Sequence, residues 1–156
     1  MNKKLFIVAI ITLIVDQISK IVMEDMLALH NITIIKNFFR LTLVYNKGAA
    51  WGIFSGNKML LIGITIIAVV IIFSLLKGFK KNTRNSIAFG LLLGGLSGNL
   101  ADRLLLGYVR DFLDFTIINY NYPVFNISDI AIVVSVILLI YAILKGEDSD
   151  GNTSKR

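Results

Sequence analysis

The sequence predicts an all-α membrane protein with a small β element, and composition and hydropathy patterning carry that prediction. Of its 156 residues, 56% are hydrophobic and 17% are charged, whereas soluble domains average about one quarter charged. The apolar residues form four runs, each close to the ~20 residues that a helix needs to cross a bilayer core. The four predicted transmembrane helices are Leu5–Val22, Met59–Leu76, Ile87–Leu106 and Ile127–Leu144.

Lysine and arginine are distributed unequally over the links between these runs, and this predicts the orientation of the chain. Nine such bases precede the first span, join the second to the third, or follow the fourth; five are spread over the other links. Both termini are therefore predicted to be cytoplasmic. We expect one domain over residues 1–145 and a polar cytoplasmic tail at 146–156 that is disordered.

The outer link between the first two spans, about residues 23–58, has a different pattern. Asn31–Lys36 and Arg40–Asn46 are rich in β-branched and aromatic residues and partly alternate, which is typical of strands. Small residues then flank Trp51. Trp51 is either an aromatic anchor at the membrane interface or a substrate contact, and the sequence leaves both open.

Polar residues interrupt the apolar pattern at positions that the predicted orientation brings to the outer membrane boundary. Ionisable groups inside a membrane are costly unless they are paired or functional. Spans one and three run outward, Asp111 follows in the outer loop, and span four begins outside. We therefore predict one site formed by Asp16, Lys20, Asn99, Asp102, Arg103, Asp111, Asn126 and Asp129.

Asp111 and Asp129 are the candidate pair for acid–base chemistry. Two carboxyl groups within a few Å cannot both ionise at low cost, so such a pair retains one proton. The ionised member can activate water while the protonated member hydrogen-bonds a carbonyl oxygen and later protonates a leaving amine. The alternative is structural, since Asp is favoured at helix N-caps and Ser128-Asp129 opens the fourth span.

Two further groups are spaced to share a helix face. Asn99, Asp102 and Arg103 lie at i, i+3 and i+4, so Arg103 can neutralise Asp102 or bind an anion. Asp16 and Lys20 lie at i and i+4 with the acid first, a favourable order for a helical ion pair. For both groups, a purely structural ion pair and a role in supporting the site remain open. For Asp16 and Lys20, binding of lipid headgroups is a further alternative.

Gly90, Gly94 and Gly98 recur at every fourth residue of the third span, which favours close packing against another helix. The overlapping Gly-Leu-Ser-Gly around Ser97 is similar to the G-x-S-G of rhomboid-type serine proteases, whose chemistry needs a histidine base. The only histidine, His30, lies in an outer link, so this match is weak. The chain has no cysteine, and we expect no metal, no cofactor and no nucleic-acid partner.

Beyond these residue-level patterns, the sequence resembles the bacterial lipoprotein signal peptidase (signal peptidase II) family over nearly its whole length. Five blocks carry the resemblance, in order and with matching spacing: Asp16–Lys20, Tyr45–Trp51, Gly98–Arg103, Val109–Phe112 and Phe125–Asp129. The chain departs from the family pattern at Trp51, where Phe is frequent, and at Ser128, where Ala is frequent. Neither departure touches a proposed catalytic group.

The resemblance implies an intramembrane aspartic endopeptidase of the bacterial cytoplasmic (inner) membrane, with its active site at the extracytoplasmic face. The implied substrate is a diacylglyceryl-modified prolipoprotein, cleaved just before the lipid-modified cysteine by Asp111 and Asp129. The first outer loop would form a β-cradle, and Asp102 would fix Arg103. The residues that would bind substrate or support the dyad are Asn46, Gly48, Asn99, Arg103, Asn126, Asp16 and Lys20.

A small proton-coupled transporter with a carboxylate relay is the main alternative from another functional class. It predicts polar residues at many bilayer depths and broken helices in internal repeats. Here the second span has no ionisable residue, and the charges gather at one face. We therefore favour the peptidase, and expect a monomer whose other partners are membrane phospholipids.

Overall fold

The computed structural model describes residues 3–49 and 53–148, and this part of the chain contains four helices and four strands. In chain order they are α1 (Lys3–Met26), β1 (Ile32–Ile35), β2 (Phe39–Asn46), α2 (Lys58–Leu75), α3 (Thr83–Leu105), β3 (Val109–Ile117), β4 (Tyr120–Asn121) and α4 (Ile127–Leu144). Trp51 and residues 149–156 of the predicted tail lie outside the described residues.

The four helices coincide with the four apolar runs: α2 and α3 each end one residue earlier than predicted, and α4 has the predicted ends. By length and composition, three helices of the described chain are apolar enough to cross a membrane, namely α1, α2 and α4. These three expose broad apolar faces; Ile10, Ile67 and Ile137 are each more than half exposed. Helix α3 is less apolar because it carries glycine, serine, asparagine and aspartate, many of which are buried between the other helices.

Helix α3 is the centre of the bundle, and its glycines allow α1 and α4 to approach closely. A Cβ atom added at Gly94 would lie 2.6 Å from the Ala9 carbonyl oxygen of α1, and one at Gly95 would lie 2.6 Å from the Ser128 carbonyl oxygen of α4. The predicted packing role of the glycine repeat is therefore confirmed. This close packing brings the polar residues of α1, α3 and α4 within hydrogen-bonding range of one another.

The strands form one antiparallel sheet in the order β1-β2-β3-β4. The two predicted strands are confirmed as β1 and β2, but the sheet also contains β3 and β4 from the link between α3 and α4. The placement of Asp111 in a loop is therefore wrong, because Asp111 lies on β3 and pairs with Val44 of β2. The β element draws on the link between α1 and α2 and also on the link between α3 and α4, rather than on the first alone.

The end of the bundle away from the sheet has an apolar core formed by Leu5, Ile72, Phe79, Phe89, Leu93 and Ala142. Residues 146–148, at the beginning of the predicted tail, lie against this end of α3. Glu147 forms an ion pair with Arg84 and accepts a hydrogen bond from Asn82 Nδ2 at 2.7 Å. The apolar core and the polar site thus occupy opposite ends of α3.

Candidate active site

A cavity of about 630 Å³ lies between the sheet, α3 and the start of α4, and both candidate carboxylates line it. This volume is within the range of small-molecule and peptide side-chain pockets, which combine apolar walls with a few placed polar groups. The polar lining residues are Asn46, Asn99, Arg103, Asp111 and Asp129; the apolar walls include Val109, Pro123, Val124, Phe125, Ile130, Val133 and Val134.

Asp111 is held by side-chain amides from two other elements. Its Oδ2 accepts a hydrogen bond from Asn46 Nδ2 at 2.8 Å, and its Oδ1 accepts one from Asn126 Nδ2 at 2.6 Å. The residue is 2% exposed, and burial raises the pKa of Asp111 to about 7 although both amides oppose the rise. A carboxyl group with this pKa can exchange a proton at neutral pH.

Asp129 belongs to the cap of α4 and lines the cavity as well. Asn126 is the N-cap: its Oδ1 accepts from the Asp129 backbone N–H, and Asp129 Oδ2 accepts from the Asn126 backbone N–H, each at 3.1 Å. The other carboxylate oxygen of Asp129 accepts from Asn99 Nδ2 at 2.8 Å. The structural alternative, in which Asp129 is itself the N-cap, is therefore wrong in that form: the N-cap is Asn126, and Asp129 is the third helical residue of a capping box. The capping box leaves the other carboxylate oxygen of Asp129 to the amide of α3.

Asn126 and Asn99 connect the two carboxylates. Asn126 Nδ2 donates to Asp111 Oδ1 and also to Asn99 Oδ1, at 2.6 and 3.1 Å. Asn99 Nδ2 then donates to Asp129. The amide nitrogens of Asn126 and Asn99 are both donors, so each presents a partial positive charge to one carboxylate and fixes its orientation. The predicted supporting residues Asn46, Asn99 and Asn126 are thus brought together around the pair.

Lys20 of α1 supports these hydrogen bonds between the carboxylates through its contact with Asn99. Its Nζ lies 2.9 Å from Asp16 Oδ2 and 3.5 Å from Asp102 Oδ2, and it donates to Asn99 Oδ1 at 2.9 Å. Asp16 in turn accepts from the Ser128 backbone N–H at 2.8 Å, in the first turn of α4. The predicted Asp16–Lys20 ion pair is confirmed, and both side chains are fully buried. The pair contacts α3 through Asn99 and α4 through Ser128.

The predicted pairing of Asp102 with Arg103 is wrong. Asp102 accepts from Arg110 through Nη2 at 2.8 Å, Nε at 3.2 Å and the backbone N–H at 3.0 Å. Arg103 donates instead to the carbonyl oxygens of Gly48 at 3.1 Å and Asn99 at 3.5 Å. The physical reason is that adjacent residues on a helix do not face each other. Gly48 contributes its backbone to the site, as a partner of Arg103.

Arg110 is the main residue that sequence reasoning missed. Besides Asp102, its guanidinium contacts Glu24 of α1 at 3.1 Å and Gln17 Oε1 at 3.2 Å. The Asp102 hydrogen bonds raise the pKa of Arg110, so it stays charged. Successive side chains of a strand point to opposite faces. Recognition of β3 would therefore have placed Arg110 opposite Asp111, toward the acids of α1 and α3.

In the described part of the chain, Ser97 of the segment similar to rhomboid proteases lies neither in the cavity lining nor beside a histidine. Ser97 is not among the described residues that line the cavity. His30 is exposed in the link between α1 and β1. The polar chemistry of the cavity is instead supplied by carboxylates, amides and one guanidinium group.

A comparison with protein families gives a match over residues 8–145 to the model described as signal peptidase (SPase) II. The chain belongs to the signal peptidase II family. Family membership together with the apolar helices identifies an aspartic-type protease of a bacterial membrane.

Three curated relatives, each named lipoprotein signal peptidase, show how far this similarity extends. The relative from Halothermothrix orenii is 46% identical and the alignment covers 86% of this chain and 91% of that protein. The Clostridium acetobutylicum relative is 39% identical, with 93% and 97% covered. The Staphylococcus aureus relative is 37% identical, with 93% of each chain covered.

Two solved structures share the fold, and both are described as bacterial membrane enzymes determined by the in meso method. The one at 2.3 Å resolution has a TM-score of 0.79 and 35% identity, covering 97% of this chain and 92% of that one. The one at 1.9 Å resolution has a TM-score of 0.73 and 37% identity, covering 90% and 92%. Signal peptidase II membership and a membrane-enzyme fold therefore extend over nearly the whole chain.

Proposed function

We propose that this peptidase cleaves diacylglyceryl-modified prolipoproteins just before the lipid-modified cysteine, and that Asp111 and Asp129 are its catalytic pair. One observation carries the assignment of the pair: both carboxylates line one cavity and are connected through Asn126 and Asn99. The names of the curated relatives support the substrate class.

Hydrolysis by this pair requires one shared proton. The ionised carboxylate takes a proton from water as the water oxygen attacks the scissile carbonyl carbon, while the protonated carboxyl group hydrogen-bonds the carbonyl oxygen. The C–N bond then breaks, and the leaving amine takes a proton from the pair. The raised pKa of Asp111, about 7, supports a protonated carboxyl group at neutral pH.

The walls of the cavity suit an extended peptide attached to a lipid. Asn46 and Arg103 provide side-chain donors beside the carboxylates, where they can bind peptide carbonyl groups. Ile130, Val133 and Val134 of α4 provide an apolar wall along the helix. A substrate anchored in the bilayer by diacylglycerol would present its cleavage site at the outer boundary, at the depth of the first turn of α4.

We propose a multi-pass topology in the bacterial inner membrane, with four spans and the cavity at the extracytoplasmic face. Helix α3 crosses with the other three because its polar residues are buried against α1 and α4 rather than exposed to lipid. The lysine-rich link between α2 and α3 lies at the end away from the cavity, as the positive-inside rule requires. A monomer suffices, since one chain supplies both carboxylates.

Asp111→Asn and Asp129→Asn test the catalytic pair. Each variant is purified in detergent and assayed with a diacylglyceryl-modified prolipoprotein in the presence of excess chelator. We expect kcat to fall about 10⁴-fold in either variant, since half of the acid–base pair is lost. Asp114→Asn is the matched control, because Asp114 is a buried acid on the same strand that accepts from Arg40 outside the cavity.

The control should retain turnover comparable with the wild type. Normal turnover by either Asp111→Asn or Asp129→Asn would exclude the pair as the catalytic device. Loss of wild-type activity on chelation would instead indicate a metal-dependent mechanism. A non-lipidated version of the same substrate tests the substrate class, and equal cleavage of both versions would contradict it.

A further inference from the structure

A second cavity, of about 430 Å³, lies at the end of the bundle opposite the two carboxylates. It is formed where α1 begins, α2 ends and α3 begins. Its walls are apolar and belong to all three helices and the link between α2 and α3: Leu5, Phe73, Leu76, Phe79 and Phe89. A volume of this size accommodates a ligand rather than a single water molecule.

Three lysines line the same cavity and give its mouth a positive charge. Lys77, Lys80 and Lys81 are all exposed, and none has an ion-pair partner among residues 3–49 and 53–148. Glu147, whose backbone carbonyl oxygen accepts from the Lys80 backbone N–H, is already paired with Arg84 and accepts from Asn82 and Asn85. An apolar cavity beneath three free ammonium groups matches a ligand with an apolar body and an anionic head.

A buried polar atom at the cavity adds a third requirement. Asn85 lines the cavity and is 3% exposed. Its Nδ2 donates to the Lys80 carbonyl oxygen at 3.0 Å and to Glu147 at 3.2 Å, but its buried Oδ1 has no hydrogen-bond partner within the described chain. A buried acceptor without a donor is unfavourable. A hydroxyl group on the ligand head would supply the missing donor.

We propose that this cavity, which we call the lysine-end cavity, binds an anionic phospholipid with a hydroxylated headgroup. The phosphate contacts Lys77, Lys80 and Lys81, the headgroup hydroxyl donates to Asn85, and an acyl chain occupies the apolar interior. A soluble anion would leave the apolar walls unfilled, and a lipid without net negative charge would leave the lysines without a counter-ion. Assignment to the cytoplasmic leaflet rests on the proposed orientation, whereas binding itself does not.

The packing of α2 gives this lipid a structural role. Helix α2 packs mainly against α3 and makes few contacts with α1. An acyl chain in the lysine-end cavity would therefore fill space between Leu5 of α1 and Phe73 and Leu76 of α2. Because the lipid binds the folded bundle, its presence should raise the thermal unfolding midpoint.

Native mass spectrometry of the delipidated full-length protein in detergent tests the proposal. We expect phosphatidylglycerol to bind about tenfold more tightly than phosphatidylcholine, and the triple variant Lys77→Gln/Lys80→Gln/Lys81→Gln to weaken phosphatidylglycerol binding about tenfold. The control Lys36→Gln/Lys47→Gln/Lys58→Gln removes the same charge at the sheet end of the bundle and should bind as the wild type does. Equal affinity for the two lipids, or equal weakening by the control, would overturn the proposal.

Leu76→Trp separates cavity binding from general attraction to a basic surface. It fills the apolar interior without changing the charge, so we expect loss of phosphatidylglycerol binding with the lysines intact; normal binding would overturn the proposal. Excess inorganic phosphate should displace little lipid, and full displacement would indicate a site for free phosphate only. The triple lysine variant should cleave substrate normally in detergent, because the lysines lie at the opposite end of the bundle from the carboxylates. Lipid binding is measured without substrate, so its outcome does not depend on whether the catalytic proposal holds.

Discussion

The two carboxylates of the site are positioned in different ways. Asp129 lies in the first turn of α4 and bonds to its own N-cap residue, Asn126, three positions earlier in the chain. Asp111 lies on β3 and bonds to Asn46, which is 65 positions away, and to Asn126, which is 15 positions away. One carboxylate is positioned by a local helix motif, and the other by tertiary structure.

The difference shows why Asn126 is central to the site. It ends the β4–α4 link with a cap whose geometry is nearly independent of the rest of the fold. The same side chain turns its amide nitrogen toward Asp111 at 2.6 Å. The cap of α4 therefore also orients Asp111, a carboxylate that belongs to β3.

The largest effect in this comparison is expected for Asn126, because it serves both carboxylates. Asn126→Ala removes the cap and the amide bridge, so we expect kcat to fall about a hundredfold and the thermal midpoint to fall as well. Asn126→Ser keeps a good capping oxygen but has no amide nitrogen. It should restore the thermal midpoint and leave kcat low.

The measurements are thermal unfolding and steady-state cleavage at saturating substrate in the same detergent, with Asn121→Ala on β4 as an exposed control. Recovery of kcat in the serine variant would show that the cap alone, and not the amide bridge, determines activity.

A smaller effect, about tenfold per pH unit, is expected from titration of Asp111. With a pKa of about 7, Asp111 is protonated below that pH and ionised above it. Activity should therefore fall on the alkaline side of about pH 7, where the pair loses its shared proton. Profiles of kcat/KM from pH 5 to pH 9 at constant ionic strength would measure this limb, and activity that stays constant to pH 9 would contradict the assignment.

The stability contribution of Asp111 should also decrease toward alkaline pH, as the activity does. The pKa of Asp111 in the fold is above its ordinary value of 3.8. Folding therefore binds a proton between these two values, and the contribution of Asp111 to the free energy of unfolding falls as pH rises through that window.

The amides sharpen the comparison further, since Asn46 contacts Asp111 alone of the pair and Asn99 contacts Asp129 alone. Asn46→Leu removes a donor that favours the ionised form of Asp111, so its pKa should rise. We expect the alkaline limb to move up by about one pH unit. Asn99→Leu is the matched comparison and should move this limb less. A downward shift in Asn46→Leu would contradict the hydrogen-bond geometry.

Local patterns account for what the sequence predicted correctly. The helices follow from apolar runs, β1 and β2 from partial alternation, and the Asp16–Lys20 pair from i, i+4 spacing, all of which lie within short segments. The glycine repeat identified the packing face of α3 for the same reason. The cap of α4 is equally local, because Asn126 and Asp129 are three residues apart, but the sequence reasoning placed the N-cap at Asp129 rather than at Asn126.

Strand β3 could not be recognised in this way. Val109–Phe112 is buried on both faces, so its side chains do not alternate between apolar and polar. Arg110 and Asp111 also lower its apparent strand propensity, although each finds a partner only in the folded protein. The Asp102–Arg110 pairing was missed as a consequence, because it depends on where β3 turns its side chains.

The smallest effect is expected for Ser97, which tests whether carboxylates rather than a hydroxyl group perform the chemistry. Ser97 lies one turn before Ala101 on α3, next to the glycines that face α1 and α4. Ser97→Ala removes one oxygen atom and keeps a small side chain, so helix packing should persist. We expect kcat and the alkaline limb to match the wild type, whereas a serine nucleophile predicts loss of both acylation and turnover.

Gly98, the next residue, gives a contrasting variant. Because Gly98 packs against Asp16 and Ser128, Gly98→Ala should lower both the thermal midpoint and kcat. An inactive Ser97→Ala enzyme with a normal thermal midpoint would transfer the chemistry from the two carboxylates to α3.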